Sequence, residues 1–130
     1  MKNQNLTLAL GVLLLGVFLA GCGTMGQQTG GGSAAVQVTS APSAGNIVYI
    51  DYSSPAHDYL KSVFQQTVKP ASNVKVFNNA GLTSLVAQQT ADSLGMFMVD
   101  LGDNVAANDT VYLVVTEPGK QASPAVAFSR

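Results

Sequence analysis

The 130-residue chain has one cysteine, one histidine and no tryptophan. A single cysteine excludes an internal disulfide, and an odd thiol in a secreted protein needs another explanation. One Cys and one His are a poor start for zinc, which takes three or four ligands at workable spacing. Charge is scarce as well: 10% of residues are charged, against about 25% in an ordinary soluble domain. The polar surface must be built from Ser, Thr, Asn and Gln. Weak charge means weak colloidal repulsion, which suits a tethered protein or an assembly subunit. No basic run is present to neutralise phosphates, so no nucleic-acid partner is expected.

Hydrophobicity is concentrated at the start. Lys2 forms a short positive region, and Leu6 to Leu19 is nearly unbroken Leu, Ala, Val, Gly and Phe. Small residues follow, giving the layout of a secretory signal peptide. The run is short for a membrane span. It ends in Leu19-Ala20-Gly21-Cys22. That ending resembles the lipobox of bacterial lipoproteins. The resemblance implies lipid attachment to the Cys22 thiol, cleavage before Cys22, and acylation of the new amine. Each buried methylene contributes about 0.8 kcal/mol, so several chains on one residue anchor firmly where a single chain does not. Gly23 stands where Asp would imply retention in the inner membrane. The resemblance therefore implies a bacterial outer-membrane location with the domain facing the periplasm.

These features divide the chain into a signal peptide (1–21), a lipidated cysteine with a flexible tether (22–45), and one domain (46–130). The tether is Gly, Ser, Gln, Thr and Ala, with Gly30-Gly31-Gly32 at its centre. That composition buries too little apolar surface to offset its ordering entropy. Val36 and Val38 alternate with polar neighbours and could form a short edge strand. Gly21 to Gly26 matches G-x-G-x-x-G formally, but it follows a signal sequence instead of a strand, so no dinucleotide cofactor is implied.

Within the domain, residues 47–52, 74–77, 96–101 and 110–116 read as strands, with a short terminal one at 125–128. Ser54-Pro55 looks like a helix start, and Leu60, Val63, Phe64, Thr67 and Val68 recur at helical spacing up to Pro70. A second helix is expected through Leu82, Leu85, Val86, Gln89 and Leu94, ending at Gly95. The expected fold is α+β: a small two-layer domain of order β-α-β-α-β-β, with two helices on one face of a mixed sheet.

Chemistry-bearing clusters are thin. His57 lies near Asp51, Ser53 and Ser54, but a triad needs hydroxyl, imidazole and carboxylate converging. Asp100, Asp103, Asn104, Asn108 and Asp109 lack the EF-hand spacing and its terminal Glu. No catalytic residue, metal or other cofactor is therefore expected. More informative is strand alternation. With Val48, Ile50, Phe97, Val99, Leu101, Val111, Leu113 and Val115 facing the core, Tyr49, Asp51, Met96, Met98, Asp100, Tyr112 and Val114 face away. Tyr49, Met98, Tyr112 and Val114 then form a candidate partner-binding face, since Tyr and Met favour interfaces. The expected role is a non-enzymatic structural or assembly component, reaching the membrane through its lipid anchor and binding envelope proteins or further copies of itself. A tethered ligand-binding or enzymatic module is the alternative.

Overall fold

A computed structural model of the chain describes residues 35–53 and 56–130. The segment expected to be a signal peptide (1–21), Cys22 with most of the expected tether, and Ser54-Pro55 lie outside the described residues. Seven strands follow in order: β1 (Ile47–Ser53), β2 (Ala56–Ser62), β3 (Asn73–Phe77), β4 (Leu85–Thr90), β5 (Met98–Gly102), β6 (Thr110–Thr116) and β7 (Val126–Ser129). Among the described residues the only helical element is a 3-10 turn at Ala44–Asn46. The strands form two antiparallel sheets, β1-β2-β5 and β4-β3-β6-β7. Both sheets contribute to a single core: Ile47, Leu60, Val99 and Leu101 from the first, and Val74, Val76, Val111, Leu113 and Val115 from the second. The domain is a β-sandwich, not an α+β layer.

The two expected helices are the error, and each has a local cause. In β2, Asp58, Leu60 and Ser62 point inward, while His57, Tyr59 and Lys61 point outward. The alternation has period two, but two of its three inward residues are polar, so hydrophobicity alone hides it. Phe64, expected on a buried helical stripe, is 60% exposed in the loop after β2. The second expected helix is β4 with its flanking turns. Its apolar residues cluster because Val86 is an extra residue in a bulge, since Val76 faces Ala87 while Phe77 faces Leu85. A bulge breaks strict alternation and mimics helical spacing.

Side chains stitch the irregular segments to the sheets. Ser62 at the end of β2 is fully buried; its Oγ accepts from the Phe97 N–H at 2.9 Å and donates to the Phe97 carbonyl at 3.2 Å. Gly95 has φ +69°, and a Cβ there would lie 2.1 Å from the Val68 carbonyl oxygen. Glycine is required by both the backbone and the close approach. The compact unit begins at Val36, ahead of the expected start at Asn46. Thr39 is buried, its N–H donates to the Gln121 carbonyl at 2.9 Å, and its Oγ1 accepts from the Glu117 N–H at 2.9 Å. The strand considered at Val36 and Val38 is a single parallel bridge, Val38 to Gln121.

Candidate functional site

Antiparallel pairing of β1 with β2 sets Asp51 directly opposite Asp58. Two carboxylates so placed repel, and Asp58 is only 1% exposed. Arg130, just beyond β7 of the other sheet, resolves the conflict. Its guanidinium donates to both Asp51 oxygens at 3.2 and 3.3 Å, and its Nε lies 3.3 Å from Asp58 Oδ2. It also donates to the Val105 carbonyl. Tyr49, on the inward side of β1, donates its hydroxyl to Asp58 Oδ2 at 2.7 Å. Burial, then the bond to Asp58, pushes the Tyr49 pKa up. Arg130 holds Asp51 below the ordinary carboxylate range. Asp58 Oδ1 is buried without a hydrogen-bond partner. The cluster is a clasp that ties the two sheets at one end of the sandwich.

The outer face of the β1-β2-β5 sheet differs in character. Register places Val48 opposite Lys61, Ile50 opposite Tyr59, and Tyr52 opposite His57. Tyr59 in turn faces Asp100, and Lys61 faces Met98. His57 Nδ1 is 3.0 Å from Asp100 Oδ1. The imidazole stacks on Tyr59 at 5.9 Å with 23° between planes, and Tyr52 meets the same ring edge-on at 5.7 Å. Asp100 is held below the ordinary carboxylate range first by the Gly102 N–H, which donates to it at 2.8 Å, and then by His57. Val48, Tyr52 and Met98 are 38%, 53% and 49% exposed. The result is a surface of aliphatic and aromatic side chains that also carries Lys61, with the His57–Asp100 contact toward its β1–β2 hairpin end.

Only part of the expected contact face survives. Alternation holds for β5 and β6, where Val99, Leu101, Val111, Leu113 and Val115 are buried as expected. In β1 it is inverted: Tyr49 points inward to Asp58, while Val48 and Ile50 point outward. Met98 is outward on the first sheet, whereas Tyr112 and Val114 belong to β6 of the second. Val114 is buried. Tyr49, Met98, Tyr112 and Val114 therefore do not share one surface. His57 lies in β2, not in a helix, and pairs with Asp100 instead of Asp51. Among the described residues no three His, Cys, Asp or Glu side chains are grouped to hold a metal ion.

A separate groove of about 470 Å³ runs between the 39–43 segment, the 65–70 loop and the end of β6. Its walls include Thr39, Gln65, Thr67, Lys69, Ser93 and Glu117, but neither Asp51 nor Asp100. Gln66 in that wall has φ +57°, a left-handed conformation uncommon for a residue with a Cβ. The packing of His57 on Tyr59 was within reach of the sequence, whereas the buried role of Asp58, the part played by Arg130 and this groove were missed. Asp58 carried a usable signal, because it shares parity with Leu60 and Ser62; the groove is assembled from loops distant in sequence and carried none. No known protein family, curated protein or solved structure matches the chain.

Proposed function

We propose that the protein is a bacterial outer-membrane lipoprotein, anchored through lipid on Cys22, whose sandwich domain captures other envelope proteins without catalysis. The observation that carries the binding role is the outer face of β1-β2-β5, where Val48, Ile50, Tyr52, Tyr59 and Met98 share one surface with Lys61 and the hydrogen-bonded His57 and Asp100. Exposed aromatic and Met side chains with few polar groups among them resemble the composition of a protein-contact patch. The anchor rests on Leu19-Ala20-Gly21-Cys22. Such a surface works by burying rigid rings, and its polar groups, Lys61, His57 and Asp100, restrict which partners fit.

Site-specific photocrosslinking in intact cells tests the face. A photoreactive residue at Tyr52 or Met98 should capture envelope proteins, and one at Ala127 on the other sheet should not. Equal capture from all three positions, or from none, would reject this face as the contact surface. Metabolic labelling with a fatty-acid analogue tests the anchor: Cys22→Ser should abolish the label, and persistent label would sink the lipobox assignment. The groove favours a second reading, a tethered ligand-binding module. Its hydroxyl and amide walls around Lys69 and Glu117 suit a small polar ligand.

A further inference from the structure

A strand at the border of a sheet presents a row of unpaired N–H and C=O groups, and native proteins blunt such borders with charge, proline, bulges or short length. The sandwich has four borders: β1 and β5 in one sheet, β4 and β7 in the other. Three are blunted. Asp51 lies in β1 and Asp100 in β5, and β7 is four residues long with Arg130 directly after it. The fourth is not. Leu85–Thr90 reads LVAQQT, with no charge and no proline. Its bulge at Val86 lies near the start, leaving Ala87–Thr90 in regular register with β3. Strand β5 approaches β4 from the opposite sheet but pairs only with β2. Among the described residues no main-chain bond reaches the outer border of β4.

We propose that β4 is a docking edge for a second copy of this chain, the two strands pairing antiparallel so that two four-stranded sheets become one continuous sheet. The chemistry of the edge asks for an extended backbone. Its side chains ask for an uncharged one. Gln88 lies opposite Lys75 between the buried Val74 and Val76, so it is on the outer face; both Gln88 and Gln89 are exposed. Each amide donates and accepts, so glutamines can pair with their own kind. In any antiparallel register of β4 against itself, no like charges meet, because the strand has none. The whole chain has a net charge of −1, so long-range repulsion between copies is weak. A two-fold pairing also uses up the edge on both partners and closes the assembly at two. The pairing involves neither the outer face of β1-β2-β5 nor the lipid anchor, so it stands or falls separately from the role proposed above.

Sedimentation of the full chain in detergent micelles, with the detergent contribution matched, reads the oligomeric state. The unsubstituted protein should be a dimer. The double variant Gln88→Lys/Thr90→Lys, on exposed outward positions, should raise the dimer dissociation constant by about tenfold or more while leaving the melting temperature unchanged. Tyr52→Glu should leave the dimer intact. Oxidation of the single variants Gln88→Cys, Gln89→Cys and Thr90→Cys gives a second readout that needs no lysine variant: a disulfide dimer should form at whichever of them lies nearest the two-fold axis, and the unsubstituted chain, whose only cysteine is Cys22, is the control. A monomeric unsubstituted protein would overturn the proposal. So would a dimer that survives the lysine pair and fails to crosslink at every one of these cysteines, or one dissolved by Tyr52→Glu alone. Protection from hydrogen exchange of the β4 amides that point away from β3, in a monomer, would overturn it too, by showing the outer border filled from within the chain.

Discussion

Removing the Arg130 side chain should cost the sandwich about 3 kcal/mol, a large part of the 5–15 kcal/mol that holds a typical domain together. The figure comes from three contributions of unequal weight. Asp58 is buried, and Arg130 is its cationic neighbour, at 3.3 Å. Breaking a buried pair from one side costs about 3–5 kcal/mol, because the remaining charge is left uncompensated. Tyr49 still donates to Asp58 Oδ2 in the variant, which keeps the cost near the lower end. The contact to Asp51 adds little, since Asp51 is half exposed and water screens the pair. Loss of the bond to the Val105 carbonyl matters more, because that group belongs to the loop that places Val105 in the core.

Urea unfolding of the chain from residue 23 onward, with and without Arg130→Ala, measures this cost. A drop of about 3 kcal/mol corresponds to a fall of about 12–24 °C in Tm for a domain of this size. The decisive control is the double-mutant cycle with Asp58→Asn. In that background the buried charge is gone, and Arg130→Ala should cost only about 1 kcal/mol. Arg130→Lys should fall between, because an ammonium carries the charge but lacks the planar fork that spans Asp51, Asp58 and the Val105 carbonyl. A cost under about 0.5 kcal/mol, or an equal cost in both backgrounds, would refute the clasp.

Three other outcomes follow from the same structure. Leu60→Ala should cost about 2–5 kcal/mol and Phe64→Ala under about 0.5 kcal/mol, measured by urea unfolding; the reverse order would restore the amphipathic helix that the sequence suggests. Gly95→Ala should destabilise by more than about 1 kcal/mol, because the φ is left-handed and the methyl group meets the Val68 carbonyl oxygen; a neutral result would place the 92–97 turn wrongly. Asp51 and Asp100 have pKa values depressed in the folded state, so their contribution is present above the ordinary carboxylate value and lost as pH falls below about 4. Thermal melts across that range should show the loss, and Asp100→Asn should flatten it; a parallel pH profile in the variant would remove Asp100 from the account.

Three of the five strands legible in the sequence share one property. In β3, β5 and β6 the inward residues are Val or Leu, and the flanking turns carry Gly, Asn or Asp. Hydrophobicity and burial then coincide, and alternation is visible without a structure. The two strands read as helices break that coincidence from opposite directions. In β2 the inward positions are Asp58 and Ser62 beside Leu60, tolerable only because Tyr49, Arg130 and the Phe97 backbone supply partners. Those partners lie 9 to 72 residues away in sequence, so no local window contains them. In β4 the bulge at Val86 shifts the pattern by one residue, and short apolar runs cannot separate a bulged strand from a helical turn.

The inversion of β1 has the same origin and explains why the contact face was misplaced. Hydrophobicity ranks Val48 and Ile50 above Tyr49 and Asp51, so the first pair is assigned inward. The structure prefers the opposite parity because Asp58, once inward on β2, requires a hydroxyl donor and a cation on its own side. Turning β1 the other way would place Ile50 beside that carboxylate and Tyr49 in solvent, leaving both Asp58 oxygens without a donor from β1. An unpartnered buried carboxylate costs several kcal/mol. Exposing Val48 and part of Ile50 costs about 1.5–3 kcal/mol per side chain at most, and less here because neither is fully exposed. The polar requirement outweighs the apolar one. In satisfying it, the chain places two aliphatic side chains on the outer face beside Tyr52, Tyr59 and Met98. The clasp and the proposed contact surface are thus two sides of one decision about the direction in which β1 faces.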